Sequence, residues 1–394
     1  MMGDTETMYK NTSIRMIPVE WEIRKFGEVA NFINGRAYKQ DELLDNGNYR
    51  VLRVGNLKTS NEWYWSDLEL DEDKYVKNGD LIYAWSASFG PSFWKEEKVI
   101  YHYHIWKIIP ISIDKVFLYQ TLIFDTEKML QHKQGGTMFH ITKSFIENRE
   151  CNIPPPLEQQ KIAQILSTWD KAIQETTDII KALEKRNKVL AFSLLTGKKR
   201  LKEFKNDHFK KSLAKEVFKN ISIKNNDESQ ELLSATQENG IIPRSLLEGR
   251  VTMPTGSVSS YKLVKKGNFV ISLRSFQGGI EYSNYEGIVS PAYTVLKAIH
   301  QINEDFYKFY FKSTDLINRL SVAVIGIRDG KNISYDDFST IALPNPSLEE
   351  QNKIADVLNK ANQELQQYKQ KLENLKQQKK GLMQQLLTGK IRTM

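Results

Sequence analysis

Cysteine occurs once in the 394 residues, at Cys151, which excludes a disulfide framework and any cysteine-based zinc cluster. No apolar run approaches the ~20 residues that cross a bilayer, and no charged-then-apolar leader opens the chain. A reducing, cytoplasmic setting is the simplest reading. Catalytic signatures are missing as well. There is no Asn-Pro-Pro-Tyr or Asp-Pro-Pro-Tyr tetrapeptide of an amino-methyltransferase and no glycine-rich strand–loop–helix for S-adenosylmethionine. Nor is there a Gly-x-x-x-x-Gly-Lys-Ser/Thr loop for a nucleotide. Glu96-Glu97-Lys98 and Glu72-Asp73-Lys74 fit the tail of a metal-dependent nuclease motif, but no suitably placed Pro-Asp precedes them.

What is present is charge, unevenly spread. The net charge is +8, yet residues 1–158 carry 19 basic and 23 acidic residues. Residues 159–202 carry 10 and 4, residues 203–347 carry 18 and 16, and residues 348–394 carry 9 and 5. Two stretches of modest size hold more than the whole excess, a distribution that suits a polyanionic partner or a solvated helical face.

Those two stretches are copies of one another. Residues 162–198 and 354–390 align without a gap at an offset of 192, and both end in Leu-Leu-Thr-Gly-Lys (Leu194–Lys198; Leu386–Lys390). Ile162, Leu166, Trp169, Ile173, Thr176, Ile180, Leu183, Asn187, Leu190 and Leu194 recur in steps of four and three. Ile354, Leu358, Ala361, Leu365, Tyr368, Leu372, Leu375, Lys379, Leu382 and Leu386 do the same. A 3.5-residue period is a coiled-coil seam, and Gly197 and Gly389 sit where a C′ glycine ends a helix. Paired antiparallel with midpoints level, the helices bring Asn187 to Ala361. Lys379 then comes near Trp169, where an ammonium can sit over an indole.

The regions between are related too, at an offset of 188. Gly27-Glu28-Val29 answers Lys215-Glu216-Val217, and Asn78-Gly79-Asp80-Leu81-Ile82 answers Lys266-Gly267-Asn268-Phe269-Val270. Each run leads to a polar, glycine-containing loop, Trp85–Gly90 in one and Arg274–Gly279 in the other. Runs such as Tyr49–Val54 and Tyr293–Leu296 read as strands, and segments near 115–132 and 304–320 as helices. The expected fold is α+β. A first globular unit spans 1–152 and a first long helix 153–203; a second unit spans 204–343 and a second long helix 344–394. The helices pair as an antiparallel coiled coil with approximate two-fold symmetry.

Ile17-Pro18-Val19-Glu20-Trp21, the Gly79-Asp80-Leu81-Ile82 turn and Pro155-Pro156-Leu157-Glu158-Gln159-Gln160 ahead of the first helix resemble the specificity subunit of type I restriction-modification systems. Ser290-Pro291-Ala292-Tyr293 and Pro344 through Ile354 match in the second half. The resemblance implies two target recognition domains, each reading half of a split double-stranded DNA site. It also implies helices that set the gap and dock two methyltransferase subunits, with two nuclease-motor subunits as further partners. S-adenosylmethionine would then bind the methyltransferase, and this chain would hold no cofactor or metal and catalyse nothing. Pro344-Asn345-Pro346-Ser347-Leu348-Glu349-Glu350-Gln351 departs from the pattern and predicts a shifted start for the second helix. A coiled-coil scaffold that binds only proteins is the alternative reading.

Base reading needs Arg, Lys, Asn, Gln, Ser or Thr on loops that enter a groove. In the first unit the candidates are Arg36, Lys39, Arg53, Asn56, Ser86, Ser88, Thr137, His140 and Lys143. In the second they are Gln237, Asn239, Arg244, Arg274, Ser275, Gln277, Arg328, Lys331 and Asn332. His102 and His104, spaced as on one face of a strand, read as a DNA-contacting or structural pair rather than metal ligands. Tyr101, Tyr103 and Trp106 around them read as packing.

Overall fold

A computed structural model describes residues 8–11, 16–58, 60–86, 88–131, 141–224, 229–247, 258–273, 275–324 and 333–393. It divides into two compact units, Met1–Thr177 with Lys371–Met394, and Asp178–Gln370. Both boundaries fall inside long helices, Pro156–Leu195 and Leu348–Leu386. Each unit therefore owns the N-terminal half of one helix and the C-terminal half of the other.

At 40 and 39 residues, each helix is roughly 60 Å long. Proline opens the first, at the position where its missing N–H is harmless. Ser347 opens the second, its hydroxyl accepting from the Glu350 amide at 3.3 Å. The start of the second helix is not shifted, contrary to the sequence reading: Pro156 and Leu348 stand 192 residues apart, as the repeat does. What changes is how the helix begins: a Ser347 cap and Leu348 stand where the first copy has Pro155 and the opening Pro156. Gly197 (φ 74°) and Gly389 (φ 76°) end the helices in the left-handed region. A side chain at either would also collide, with the Phe209 ring and with Pro18 respectively.

In the first unit Ile162, Ala163 and Leu166 pack with Met383, Leu386, Leu387, Ile17, Trp21 and Phe117. The ammonium of Lys379 is 2.6 Å from Asp170, not over the Trp169 indole. A carboxylate one residue further on is the stronger partner for a nearly buried charge. In the second unit Leu194 and Leu195 share a core with Ile354, Ala355 and Leu358. There the Asn187 amide donates to the Ala361 carbonyl at 2.9 Å, and Arg186–Glu364 (2.6 Å) and Lys369–Glu184 (2.8 Å) flank it. Both half-pairs run antiparallel in the expected register.

A clasp closes each helix pair. Glu158, 2% exposed, accepts both arms of the Arg392 guanidinium (2.7 and 2.9 Å) and the Trp21 indole N–H (2.9 Å). Glu350, also 2% exposed, accepts both arms of Arg200 at 2.8 Å. The two pairs are the same pair displaced by 192 residues. Beside them Gln159 accepts from the Asp114 amide and Gln351 from the Asn303 amide, fixing the start of the helix that crosses each sheet.

Each unit is built on a four-stranded antiparallel sheet. In the first the order is Ala30–Asn34, Ile105–Pro110, Leu81–Ala84, Gly90–Phe93; in the second it is Phe218–Ile221, Thr294–Ala298, Phe269–Ile271, Glu281–Tyr282. Helix Lys115–Gln131 covers the first sheet with Leu118, Leu122 and Met129 on Phe32, Leu81 and Ile108. The stretch read as one helix near 304–320 is two, Glu304–Phe311 and Thr314–Val324. Ser313 breaks it: its hydroxyl accepts from the Leu316 amide at 3.3 Å and starts a new helix.

Candidate nucleic-acid interface

Beside each main sheet a hairpin carries polar residues on its loop. In the first unit it joins Tyr49–Leu52 to Tyr64–Ser66, and in the second it joins Leu233–Thr236 to Gly240–Pro243. The two are counterparts. Val51 pairs in parallel with Ile100 of strand Val99–Tyr101, and Leu232 bridges in parallel to Ile288 of strand Gly287–Val289, 188 residues on. Arg53 and Asn56 stand on the long loop of the first hairpin. Gln237 and Asn239 stand on the tight turn of the second. Sequence candidates from distant places in the chain thus occupy one position in the frame.

Their local roles differ. Asn56 is consumed in holding its loop, accepting from the Arg53 amide (3.1 Å) and donating to the Glu62 carbonyl (2.7 Å). The Arg53 guanidinium lies 4.1 Å from the Tyr64 ring centroid. Arg36 forks onto Glu42 at 2.8 and 2.7 Å and holds that carboxyl down to about 2. Lys39 is exposed, and its backbone amide donates to the same Glu42. Ser86 and Ser88 are half-buried, joined by a backbone hydrogen bond of 2.6 Å. Lys143 stands apart from these residues. Its short helix, Lys143–Glu147, packs on Gly27 ahead of strand Ala30–Asn34, whereas Arg36 follows that strand.

His102 and His104 lie in a turn between strands Val99–Tyr101 and Ile105–Pro110, not within a strand as their alternation suggested. The backbone reverses there through hydrogen bonds from the His102 amide to Leu52 and from the Ile105 amide to His102. The imidazole centroids are 4.7 Å apart. Burial, with help from His104 and Arg53, lowers His102 to about 4, so it is neutral at pH 7. Trp85 closes over this turn. Its indole N–H donates to the Tyr103 carbonyl (2.8 Å), and its ring stacks at 5.8 Å on Trp106, which stacks at 5.7 Å on Tyr83. Tyr101 and Trp106 are buried, as packing residues should be, while Tyr103 is 38% exposed.

In the second unit the turn Gln237–Asn239 borders a cleft of about 650 Å³, lined also by Thr236, Ser272, Leu273, Glu281 and Tyr293. Gly240 makes the turn possible with φ 71°, and a side-chain carbon there would stand 2.6 Å from the Tyr282 carbonyl oxygen. Gln237 and Asn239 are exposed, and Gln277 is exposed on the short helix Ser275–Gly278. Ser275 is 1% exposed, and its hydroxyl accepts from the Ser272 amide at 2.9 Å, so it shapes the loop. The Arg244 guanidinium donates to the Ser234 hydroxyl at 3.0 Å. Thr137, His140, Arg274, Arg328, Lys331 and Asn332 lie outside the described residues.

Lys312 and Glu281 escaped the sequence reading. The Lys312 ammonium donates to the Gln237 carbonyl (3.2 Å), the Gly278 carbonyl (3.1 Å) and the Glu281 carboxylate (2.5 Å). Burial pushes the Glu281 carboxyl above its ordinary value, against the pull of Lys312. A lysine at a helix junction carries no motif, but an acid between Ile280 and Tyr282 is a legible signal. The acidic triplets have a plain use as well. Glu96 and Glu97 pair with Arg50 (2.8 and 3.0 Å) and Glu72 pairs with Lys98 (2.8 Å).

Comparison with known proteins bears on what this frame is for. The chain is 25% identical over 417 residues to the type I restriction enzyme MjaVIII specificity subunit of Methanocaldococcus jannaschii, covering 98% of this chain and 96% of that one. To the putative MjaX specificity subunit of the same organism it is 24% identical, covering 98% and 97%. In fold it is similar to the S subunit of a type I restriction-modification system from M. genitalium (TM-score 0.53, 16% identity, 96% and 97% covered). A chain from a structure described as the basis of complex assembly and conformational transition of the type I R-M system gives a TM-score of 0.58 at 14% identity, with 95% and 99% covered. The type I restriction modification DNA specificity domain matches residues 18–185 and 251–377, one match over each repeat. With its frame built twice and its polar loops built differently each time, this chain belongs to the type I restriction-modification DNA specificity family.

Proposed function

We propose that the chain is the non-catalytic, sequence-reading subunit of a restriction-modification complex, each unit reading one half of a split double-stranded DNA target. The long helices set the unread gap and dock two methyltransferase subunits, which bind S-adenosylmethionine and transfer the methyl group. Two nuclease-motor subunits complete a cutting assembly. The observation that carries the reading is the contrast between a repeated frame and unrepeated loops. The same hairpin presents Arg53 in one unit and Gln237 with Asn239 in the other. Arginine suits a guanine edge; glutamine and asparagine suit adenine. The uneven basic excess adds a phosphate attraction that carries no sequence information.

The test is binding of the assembled methyltransferase complex to a duplex library randomised in both halves. Exchange of residues 1–150 for those of a relative should alter one half of the selected site and leave the other intact. If both halves change, specificity belongs to the whole chain and the modular reading is wrong. Purified alone, the chain should neither methylate nor cut DNA; methyl transfer without a partner subunit would remove it from this role.

A further inference from the structure

A lysine ammonium has three N–H donors, and those of Lys312 go to three separate segments. One meets the Gln237 carbonyl on the hairpin turn, one the Gly278 carbonyl on helix Ser275–Gly278, and one the Glu281 carboxylate on strand Glu281–Tyr282. Glu281 is 2% exposed, so its charge is held where water does not compete. Gly278 also lies directly against the Gln237 side chain, since a side-chain carbon there would stand 2.7 Å from Gln237 Nε2 and 2.8 Å from its Cγ. The anchor is stiff too. Lys312 closes helix Glu304–Phe311, whose Phe306, Tyr307 and Phe311 are fully buried.

We infer that Lys312 is a positioning residue for base reading: it locks the Gln237–Asn239 turn to helix Ser275–Gly278 so that the two meet DNA as one rigid surface. This rests on the reading of the second unit as a half-site reader. Two short loops that moved independently would each lose conformational freedom on binding, and they would hold their side chains too loosely to reject a wrong base. Lys312 touches no base in this arrangement and acts only through the loops it ties. The first unit solves the same problem differently, with the Trp85 indole donating to Tyr103.

The experiment compares full chains, each assembled with its methyltransferase partner, on a duplex library randomised in both halves. Lys312→Met alone strands the Glu281 charge and can fail by unfolding. The informative variant is Lys312→Met with Glu281→Met, since replacing a buried ion pair by apolar residues is often neutral or stabilising. This pair should keep the melting temperature yet lose about ten-fold or more of discrimination at the second unit's bases, leaving the first half unchanged. Hydrogen exchange gives a second readout: amides of residues 233–243 and 275–281 should lose protection together. Lys312→Gln, which keeps donors for the two carbonyls, should fall between. Full discrimination in a stable double variant would overturn the proposal, as would equal relaxation of both halves or unchanged protection of both loops. A wild-type complex with no preference in the second half would instead overturn the half-site reading, and this inference with it.

Discussion

The two units share a sheet order, a covering helical layer and a clasp, and differ in how they stiffen the loops at the sheet's edge. The first uses a stack of rings: Tyr83, Trp106 and Trp85 run from core to surface and cap a turn holding His102 and His104. The second uses one buried charge, Lys312 on Glu281, beneath a polar cleft. A stack of rings holds mainly through the apolar area it buries, whereas an ion pair needs its acceptors at hydrogen-bond distance. In both units the stiffening is rooted in the main sheet, through Tyr83 and Trp106 in the first and Glu281 in the second, while the clasps take no part in it.

The sharpest way to break this comparison is at the clasps. Arg392→Ala leaves Glu158 buried without its main partner and should destabilise the first unit by about 3–5 kcal/mol, while Arg200→Ala should do the same to the second. Hydrogen exchange localises the loss; equal loss in both units from either change would show that the units do not fold independently. Next in size are the reading residues. Gln237→Ala or Asn239→Ala should cost about 1–3 kcal/mol of discrimination at a single base of one half. Arg53→Ala should act on the other half only. Selection from the randomised library decides it.

Acid separates the units through different groups. His102 is depressed from 6.5 to about 4. The first unit therefore draws stability from a neutral imidazole at pH 7 and loses it as pH falls from about 6.5 towards 4. Glu281 is raised, so its contribution runs the other way, present at low pH and lost as pH rises through its folded value. Lowering pH from 7 to 5 should weaken the first unit relative to the second, as read by hydrogen exchange. His102→Phe should abolish the first unit's response; an unchanged response would place the acid-sensitive group elsewhere. The smallest effect belongs to the spacer surface. Lys171, on the exposed side of the first helix near Glu175, should change affinity uniformly across sequences and lower the salt slope by at most about one on mutation to Ala.

The helical repeat was legible because a coiled-coil seam is a local pattern. Every named seam position in both copies is buried or half-buried, and Asn187 meets Ala361 as the level pairing requires. The Lys379 partner was misread by one residue because seam geometry gives a neighbourhood, and charge selects within it. The site was less legible. Arg36, Asn56 and Ser275 have the right chemistry for DNA, yet Glu42, Glu62 and Ser272 already hold them, and composition does not reveal such internal partners.

The chain by itself determined the repeats, the helix ends at Gly197 and Gly389, the α+β character and the family, since each rests on spacing within a few dozen residues. Only the tertiary structure decided that Arg53 and Gln237 stand on corresponding hairpins. It alone paired Glu158 with Arg392 and Glu350 with Arg200, and turned Lys312 into the tie between two loops. Such contacts join residues tens to hundreds of positions apart, where no sequence period reaches. A buried charge finds its partner only when the chain has folded around both.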